Sequence, residues 1–200
     1  ALTRRIYGFD FEQWYQSGWW GESYRPYSLL DGDRVVSNVS VSLQEFRILG
    51  ERRLYAQLGA VMTAPEYRGR GLSRWLLQRV LEEYSSSSDQ VFLFANDSVL
   101  EFYPKFGFIE AQETAHPLVM DGGRGAARPL NPADPKERTL LLELYRSAAR
   151  GSPLALEKNE GLLMFYALGF WRENFYYLED LHAAAIAQWE GDTLHCMDVF

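Results

Sequence analysis

At 200 residues, 47% of them hydrophobic, the chain is long enough for one large domain, or for one domain with an incomplete second, and its core needs no covalent staple. The formal net charge of −7 argues against general nucleic-acid binding. A single cysteine, Cys196, excludes an internal disulfide and fits a reducing, cytoplasmic setting; no secretory leader and no membrane-spanning run is expected.

In chain order, residues 1 to 30 are dense in aromatics: Tyr7, Phe9, Phe11, Trp14, Tyr15, Trp19, Trp20, Tyr24 and Tyr27. Asp31-Gly32-Asp33 reads as a hairpin turn leading into a strand from Arg34 to Ser42, and residues 43 to 58 as a loop containing Gly50. Leu58 to Thr63 is expected to form a short buried strand, closed by the turn Ala64-Pro65-Glu66. Leu72, Trp75, Leu76, Val80 and Tyr84 then recur at helical spacing, with Arg74, Gln78, Glu82 and Glu83 facing away. A second strand runs from Val91 to Ala95 and ends in Asn96-Asp97-Ser98, good helix-capping chemistry. A short helix follows, carrying Val99, Leu100, Phe102, Tyr103 and Phe106, with Gly107 as its stop and a last strand from Ile109 to Met120. The run Asp121 to Gly125, with Pro129, Pro132 and Pro135 beyond it, marks a boundary. After it come a helix from Glu137 to Arg150, a shorter one around Gly161 to Leu168, and two strands, Ala183 to Trp189 and Thr193 to Phe200, joined at Glu190-Gly191-Asp192.

The chemistry concentrates in Tyr67-Arg68-Gly69-Arg70-Gly71-Leu72-Ser73, between a strand and a helix. Two glycines let the backbone curl and expose consecutive N–H groups at a helix N-terminus, where the dipole favours an anion, and Arg68 and Arg70 add positive charge. That is the composition of a phosphate or pyrophosphate cradle, although a packing turn uses glycine too. The Walker pattern is excluded because Leu72-Ser73 follows the last glycine where a Lys-Ser or Lys-Thr pair is needed. The dinucleotide fingerprint fails as well: a third glycine is missing, and Asp89 precedes the next strand instead of ending it.

In the Arg68 to Ser73 loop, in Asn96 after the next strand, and in Tyr103-Pro104-Lys105-Phe106-Gly107-Phe108, the chain resembles the GNAT superfamily of acyl-CoA-dependent N-acyltransferases. The resemblance covers about Asp31 to Met120; Ser73 departs from it, standing where Gly or Ala is usual. It implies an α/β fold with a GNAT-like mixed, mostly antiparallel central sheet, flanked by helices and splayed near the cofactor. It also implies direct acetyl transfer from acetyl-CoA, as cosubstrate and without a metal, to an amine. In that reading Val61, Met62 and Thr63 face the pantetheine, with an N–H of that strand aimed at the thioester oxygen. Arg68, Gly69, Arg70, Gly71, Leu72 and Ser73 take the pyrophosphate, and Asn96, Val99 and Phe102 are further cofactor contacts. Tyr103 is the expected general acid, since a phenol donates a proton without being charged at neutral pH.

Several readings stay open beside these. Asn96 serves as a cap, a cofactor contact or both; no general base is legible, with Glu22, Glu45, Glu66, Asp97 and a water relay all open, and His116, His182 and His195 receive no role. Trp14, Trp19, Trp20 and Tyr24 form either an ordinary core or an ammonium cage lining the acceptor pocket. The expected division is a GNAT domain over 1–121, a linker over 122–136, and over 137–200 a partial second GNAT-like half or a C-terminal extension. A catalytically inactive CoA-binding regulator or scaffold is the alternative function. The acceptor's identity, the acyl-chain length and the homo-oligomeric state are not legible.

Overall fold

The computed structural model describes residues 1–114, 117–119, 125–148 and 153–200. In chain order its elements are α1 (Leu2–Tyr7), α2 (Glu12–Gln16), β1 (Tyr24–Asp31), β2 (Arg34–Ile48), β3 (Glu51–Thr63), α3 (Leu72–Tyr84) and β4 (Gln90–Leu93). There follow β5 (Ala127–Pro129), α4 (Pro135–Ser147), β6 (Leu154–Glu157), α5 (Glu160–Leu168), β7 (Phe175–Leu178), β8 (Ala183–Glu190) and β9 (Thr193–Val199). They form two compact units, residues 1–113 with 153–157, and residues 114–152 with 158–200.

The sheet of the first unit runs β1-β2-β3-β4, antiparallel except for the parallel β3–β4 pair that α3 connects. Its hairpins turn through two residues each, Gly32-Asp33 and Leu49-Gly50; Gly32, Leu49 and Gly50 all have positive φ, as the right-handed twist of the flanking strands demands. The second hairpin replaces the loop expected over residues 43 to 58. The long β2 accepts β1 along its first part and β6 along its last, where Glu45 pairs with Glu157 and Ile48 with Leu154. The Arg47 guanidinium, 2.6 Å from Glu157, adds an ion pair at that junction.

One face of this sheet is covered by α3. Leu76, Leu77, Val80 and Tyr84 fall on one helical stripe and pack with Val39, Val41, Ala56 and Leu58 in a fully buried cluster. A β-bulge then decides what lies beyond. Ser40 pairs with Gly59 but Asn38 with Met62, so β3 carries one extra residue opposite Val39, and Ala60 adopts φ +46°. Because side chains alternate with period two, the extra residue reverses the parity of β3. Leu58 faces α3 before the bulge and Thr63 pairs with Ser37 after it, so Met62 shares the opposite face with Asn38.

Past β4 the chain differs from expectation. The short helix resolves into two 3-10 turns, Asp97–Val99 and Tyr103–Phe106, the second ended by Gly107 at φ 88°. The strand expected from Ile109 to Met120 has no ladder at residues 109–114 and 117–119; Ile109 and Val119 are almost fully exposed, and no described strand pairs with them. Ala115, His116 and Met120, with the run Asp121 to Arg124, lie outside the described residues.

The second unit has a four-stranded antiparallel sheet in the order β5-β7-β8-β9, with α4 packed on β8. Asp134 caps α4 by accepting the N–H groups of Lys136 and Glu137, and Asn159 caps α5 by accepting that of Leu162. Leu141, Met164 and Phe175 are fully buried. The expected helix, helix, strand, strand order is present, with β5 and β7 added; the expected helix residues Ala149 and Arg150 lie outside the described residues.

Candidate active site

β3 and β4 pair only from Tyr55 with Gln90 to Leu58 with Leu93. β3 then runs on through the bulge to Thr63 without a partner on that side among the described residues, which opens a cleft of about 820 Å³ between the two chain segments. The open edge of β3 presents backbone carbonyls, and two of them are capped by side chains: the Tyr7 hydroxyl donates to Val61 at 2.9 Å, and Arg68 Nε donates to Thr63 at 3.3 Å.

The loop that follows is an anion cradle by geometry. Gly69 and Gly71 have φ of +76° and +77°, which L side chains rarely adopt, while a Cβ at either would meet nothing within 4 Å. Conformation, not space, requires glycine there. The backbone N–H groups from Gly69 to Arg74 find no acceptor within the chain among the described residues, and they gather at the N-terminus of α3. The Arg68 side chain lines the cleft; that of Arg70 turns back, donating to the Glu66 carbonyl at 3.1 Å and stacking over Tyr67 at 4.7 Å. Ser73 Oγ lies 2.6 Å from Thr63 Oγ1, which ties the start of α3 to the end of β3.

The opposite wall comes from the segment after β4. Asn96 lines the cleft and makes no side-chain cap, although its carbonyl accepts the Val99 N–H at 2.9 Å. Val99, Phe102 and Tyr103 complete this wall. Of the residues singled out in the sequence, the cleft therefore gathers Val61, Met62, Thr63, Arg68, Gly69, Gly71, Leu72, Ser73, Asn96, Val99, Phe102 and Tyr103, and leaves only Arg70 outside. The Tyr103 ring packs edge-on to Phe102 and Phe108, and its hydroxyl has no hydrogen-bond partner among the described residues. Burial, then the nearby Tyr7 phenol, pushes its pKa above the usual 10.

A second cleft of about 910 Å³ lies on the other face of β3. Its floor is buried polar chemistry: Asn38 Nδ2 donates to Ser40 Oγ at 3.0 Å and to the Ala60 carbonyl at 2.9 Å, while its Oδ1 accepts from Ser28 at 2.8 Å. Tyr24, whose phenol burial pushes up to about 12, lines the same cleft beside Ser40. Met62 borders both clefts.

The N-terminal aromatics divide. Trp14, Trp20 and Tyr24 pack on one another with centroids 4.6 to 5.3 Å apart, and Trp14 is buried. Of the four cage residues, Trp20 and Tyr24 line the second cleft, Trp14 is buried in the core, and Trp19 is half-buried outside both clefts. Among the carboxylates considered as bases, Glu66 is bound by Arg5 through both oxygens at 2.8 Å and by Arg34 at 3.0 Å. The Arg5 guanidinium foremost, with Arg34, holds it down at about 2, far too low for a base at neutral pH. Glu22, Glu45 and Asp97 line neither cleft. His182 bonds Tyr177 and His195 faces Glu190, both in the second unit. Tyr7 was legible in the sequence only as one more aromatic; no motif marks it.

No helix among the described residues is long and apolar enough to cross a membrane. A family model described as the Acetyltransferase (GNAT) domain matches residues 6–111. Among solved structures, the chain is similar to a conserved protein from Enterococcus faecalis V583 described as a probable N-acyltransferase, at 17% identity and a TM-score of 0.58. That match covers 95% of this chain and 51% of the other, so the chain spans about half of that protein's length. A Trypanosoma brucei acetyltransferase matches at 26% identity and a TM-score of 0.41, covering 49% of this chain and 70% of that one. A predicted acetyltransferase with acetyl-CoA from Clostridium acetobutylicum matches at 14% identity and a TM-score of 0.46, covering 55% and 76%. No curated protein matches the sequence. The family match takes in the bulged strand, the glycine loop and the Tyr103 turn, over more than half of the chain: the protein belongs to the GNAT acetyltransferases.

Proposed function

We propose that the protein transfers the acetyl group of acetyl-CoA directly to an amine, with Tyr103 as the general acid. The observation that carries this reading is the set of N–H groups from Gly69 to Arg74 that have no partner among the described residues, all but that of Arg70 belonging to residues that line the same cleft as a phenol whose proton is uncommitted. The donor set fits a pyrophosphate: backbone N–H groups at a helix N-terminus, the Arg68 guanidinium, and no side chain at Gly69 or Gly71 to intrude. The open edge of β3 supplies backbone groups that a pantetheine amide can pair with, as an added strand would.

Acetyl-CoA supplies the acyl carbon and the sulfur leaving group. The amine enters by the second cleft and meets the first at Met62. Carbon–nitrogen bond formation expels the sulfur, which takes the Tyr103 proton; the nitrogen gives its surplus proton to solvent, and Tyr103 is reprotonated from solvent. Glu66, tied up by two guanidiniums, takes no part as base.

Calorimetric titration with acetyl-CoA tests the cradle, run beside an Arg68→Ala, Gly71→Asp double variant. Binding that the variant loses supports the reading, and a wild type that does not bind acetyl-CoA ends it. Thiol release in the presence of amines then separates a transferase from a CoA-binding regulator.

A further inference from the structure

α1 is the partition between the two clefts. Leu2, Thr3, Arg4 and Arg5 border the second, whereas Ile6 and Tyr7 border the first. The clefts meet behind this partition at Met62, one residue from the carbonyl that the Tyr7 hydroxyl occupies at 2.9 Å.

Three tyrosines line the first cleft; the Tyr67 hydroxyl donates to Asp31, and the other two, Tyr7 and Tyr103, are in opposite states. A phenol has one proton to donate and lone pairs to accept with. Tyr7 has committed its proton to Val61, so what it offers a ligand is an acceptor. The proton of Tyr103 has no partner among the described residues, so it can be given away. An amine attacking a carbonyl carbon aims its lone pair at that carbon, and its N–H bonds must then point elsewhere. As the nitrogen becomes cationic those bonds grow more polar, and an acceptor for one of them is worth more in the transition state than before it.

We propose that Tyr7 orients the attacking amine: an N–H of the nucleophile donates to the Tyr7 oxygen while the Tyr7 hydroxyl keeps donating to the Val61 carbonyl. This rests on the acetyl-transfer reading and adds to it the group that receives the nucleophile. Tyr7 neither gains nor loses a proton in the step. A primary amine suits the site best, because it keeps a second N–H for Tyr7 after losing the first.

The test is Tyr7→Phe, which keeps the ring stacked on Phe9 at 6.0 Å and removes only the oxygen. Steady-state kinetics would use acetyl-CoA and trifluoroethylamine, a small primary amine that is neutral at mildly alkaline pH, with the acetyl-CoA Kd measured by calorimetry. The expected result is a fall in kcat of roughly 10- to 100-fold with the acetyl-CoA Kd unchanged. An unchanged kcat overturns the proposal, and so does a loss of acetyl-CoA affinity as large as the loss of kcat, which would make the phenol a pantetheine contact. A wild type that binds acetyl-CoA but acetylates no amine overturns the transfer reading and this role together; an active wild type indifferent to Tyr7→Phe overturns this role alone.

Discussion

Thr63 Oγ1 and Ser73 Oγ, 2.6 Å apart, join the last residue of β3 to the second residue of α3 across the glycine loop. Behind them the fully buried Ser37 lies 2.8 Å from Thr63 Oγ1 and donates to the Met62 carbonyl at 3.1 Å. Each hydroxyl has one proton, so the chain has a direction: Ser37 donates to Met62, Thr63 to Ser37, and Ser73 to Thr63. The Ser73 proton is thus spent on holding the loop closed. Ser73→Ala should lower stability by about 1 kcal/mol and weaken acetyl-CoA severalfold by loosening the loop. Thr63→Val should cost more, since it strips the buried Ser37 of its donor, and the double variant should cost less than the two singles added together. Denaturant midpoints would check this, and strictly additive effects would break the chain as drawn.

Gly71 offers a cleaner probe of the cradle. At φ +77° an alanine fits in space, because nothing lies within 4 Å of the added carbon, but strains the backbone by roughly 1–2 kcal/mol. Gly71→Asp brings the same strain and a negative charge beside the expected pyrophosphate. Calorimetry should show the aspartate losing at least about tenfold more acetyl-CoA affinity than the alanine. Equal losses would mean that no anion sits there.

What the sequence disclosed and what it withheld divide along the range of the interaction. The glycine loop was legible because glycine φ is written locally, while Asn96 and Tyr103 were read from the family resemblance; the short helix expected around Tyr103 is a pair of 3-10 turns, the second ended by Gly107. The β2–β3 hairpin was missed because its turn uses Leu49 at φ +50°, a residue that carries no turn signal. The bulge at Ala60 has no local mark either, since it is set by pairing with β2. β6 is four residues long and its partner strand lies more than a hundred positions away, so no pattern could announce it. The run after Gly107 failed in the other direction: apolar residues such as Ile109 and Val119 read as a strand, yet pair with no strand among the described residues. Tyr7 belongs with these misses, since its partner Val61 is brought to it by the fold alone.

Tyr103 carries a prediction on the alkaline side. A phenol acts as proton donor only below its pKa, and burial together with Tyr7 moves that pKa above 10. With an acceptor that is neutral throughout, such as trifluoroethylamine, and chemistry limiting the rate, activity should hold level from neutral pH upward and fall only as pH passes the raised pKa. Tyr103→Phe should cut kcat by roughly 100-fold or more, leave acetyl-CoA binding unchanged, and remove that alkaline limb. Should the limb persist in the phenylalanine variant, another group is the acid.

Glu66 governs the acid side through stability. It sits in the turn between β3 and the glycine loop, and it ties together Arg5 of α1 and Arg34 at the start of β2. In the folded chain its carboxyl titrates at about 2, against an ordinary value of 4.5, chiefly because of Arg5. A depressed carboxylate pKa means that the unfolded chain binds the proton first as pH falls. The contribution of this cluster is therefore complete above about pH 4.5, declines below it, and is gone once pH passes below about 2. All three side chains are well exposed, so salt should weaken the effect. Melting temperatures of the wild type and Glu66→Gln, measured from neutral pH down to this window, should converge as pH falls; parallel curves would show that the cluster contributes nothing to the fold. Because Arg5 lies on the helix that divides the two clefts, the same variant should make α1 easier to cleave by protease at neutral pH.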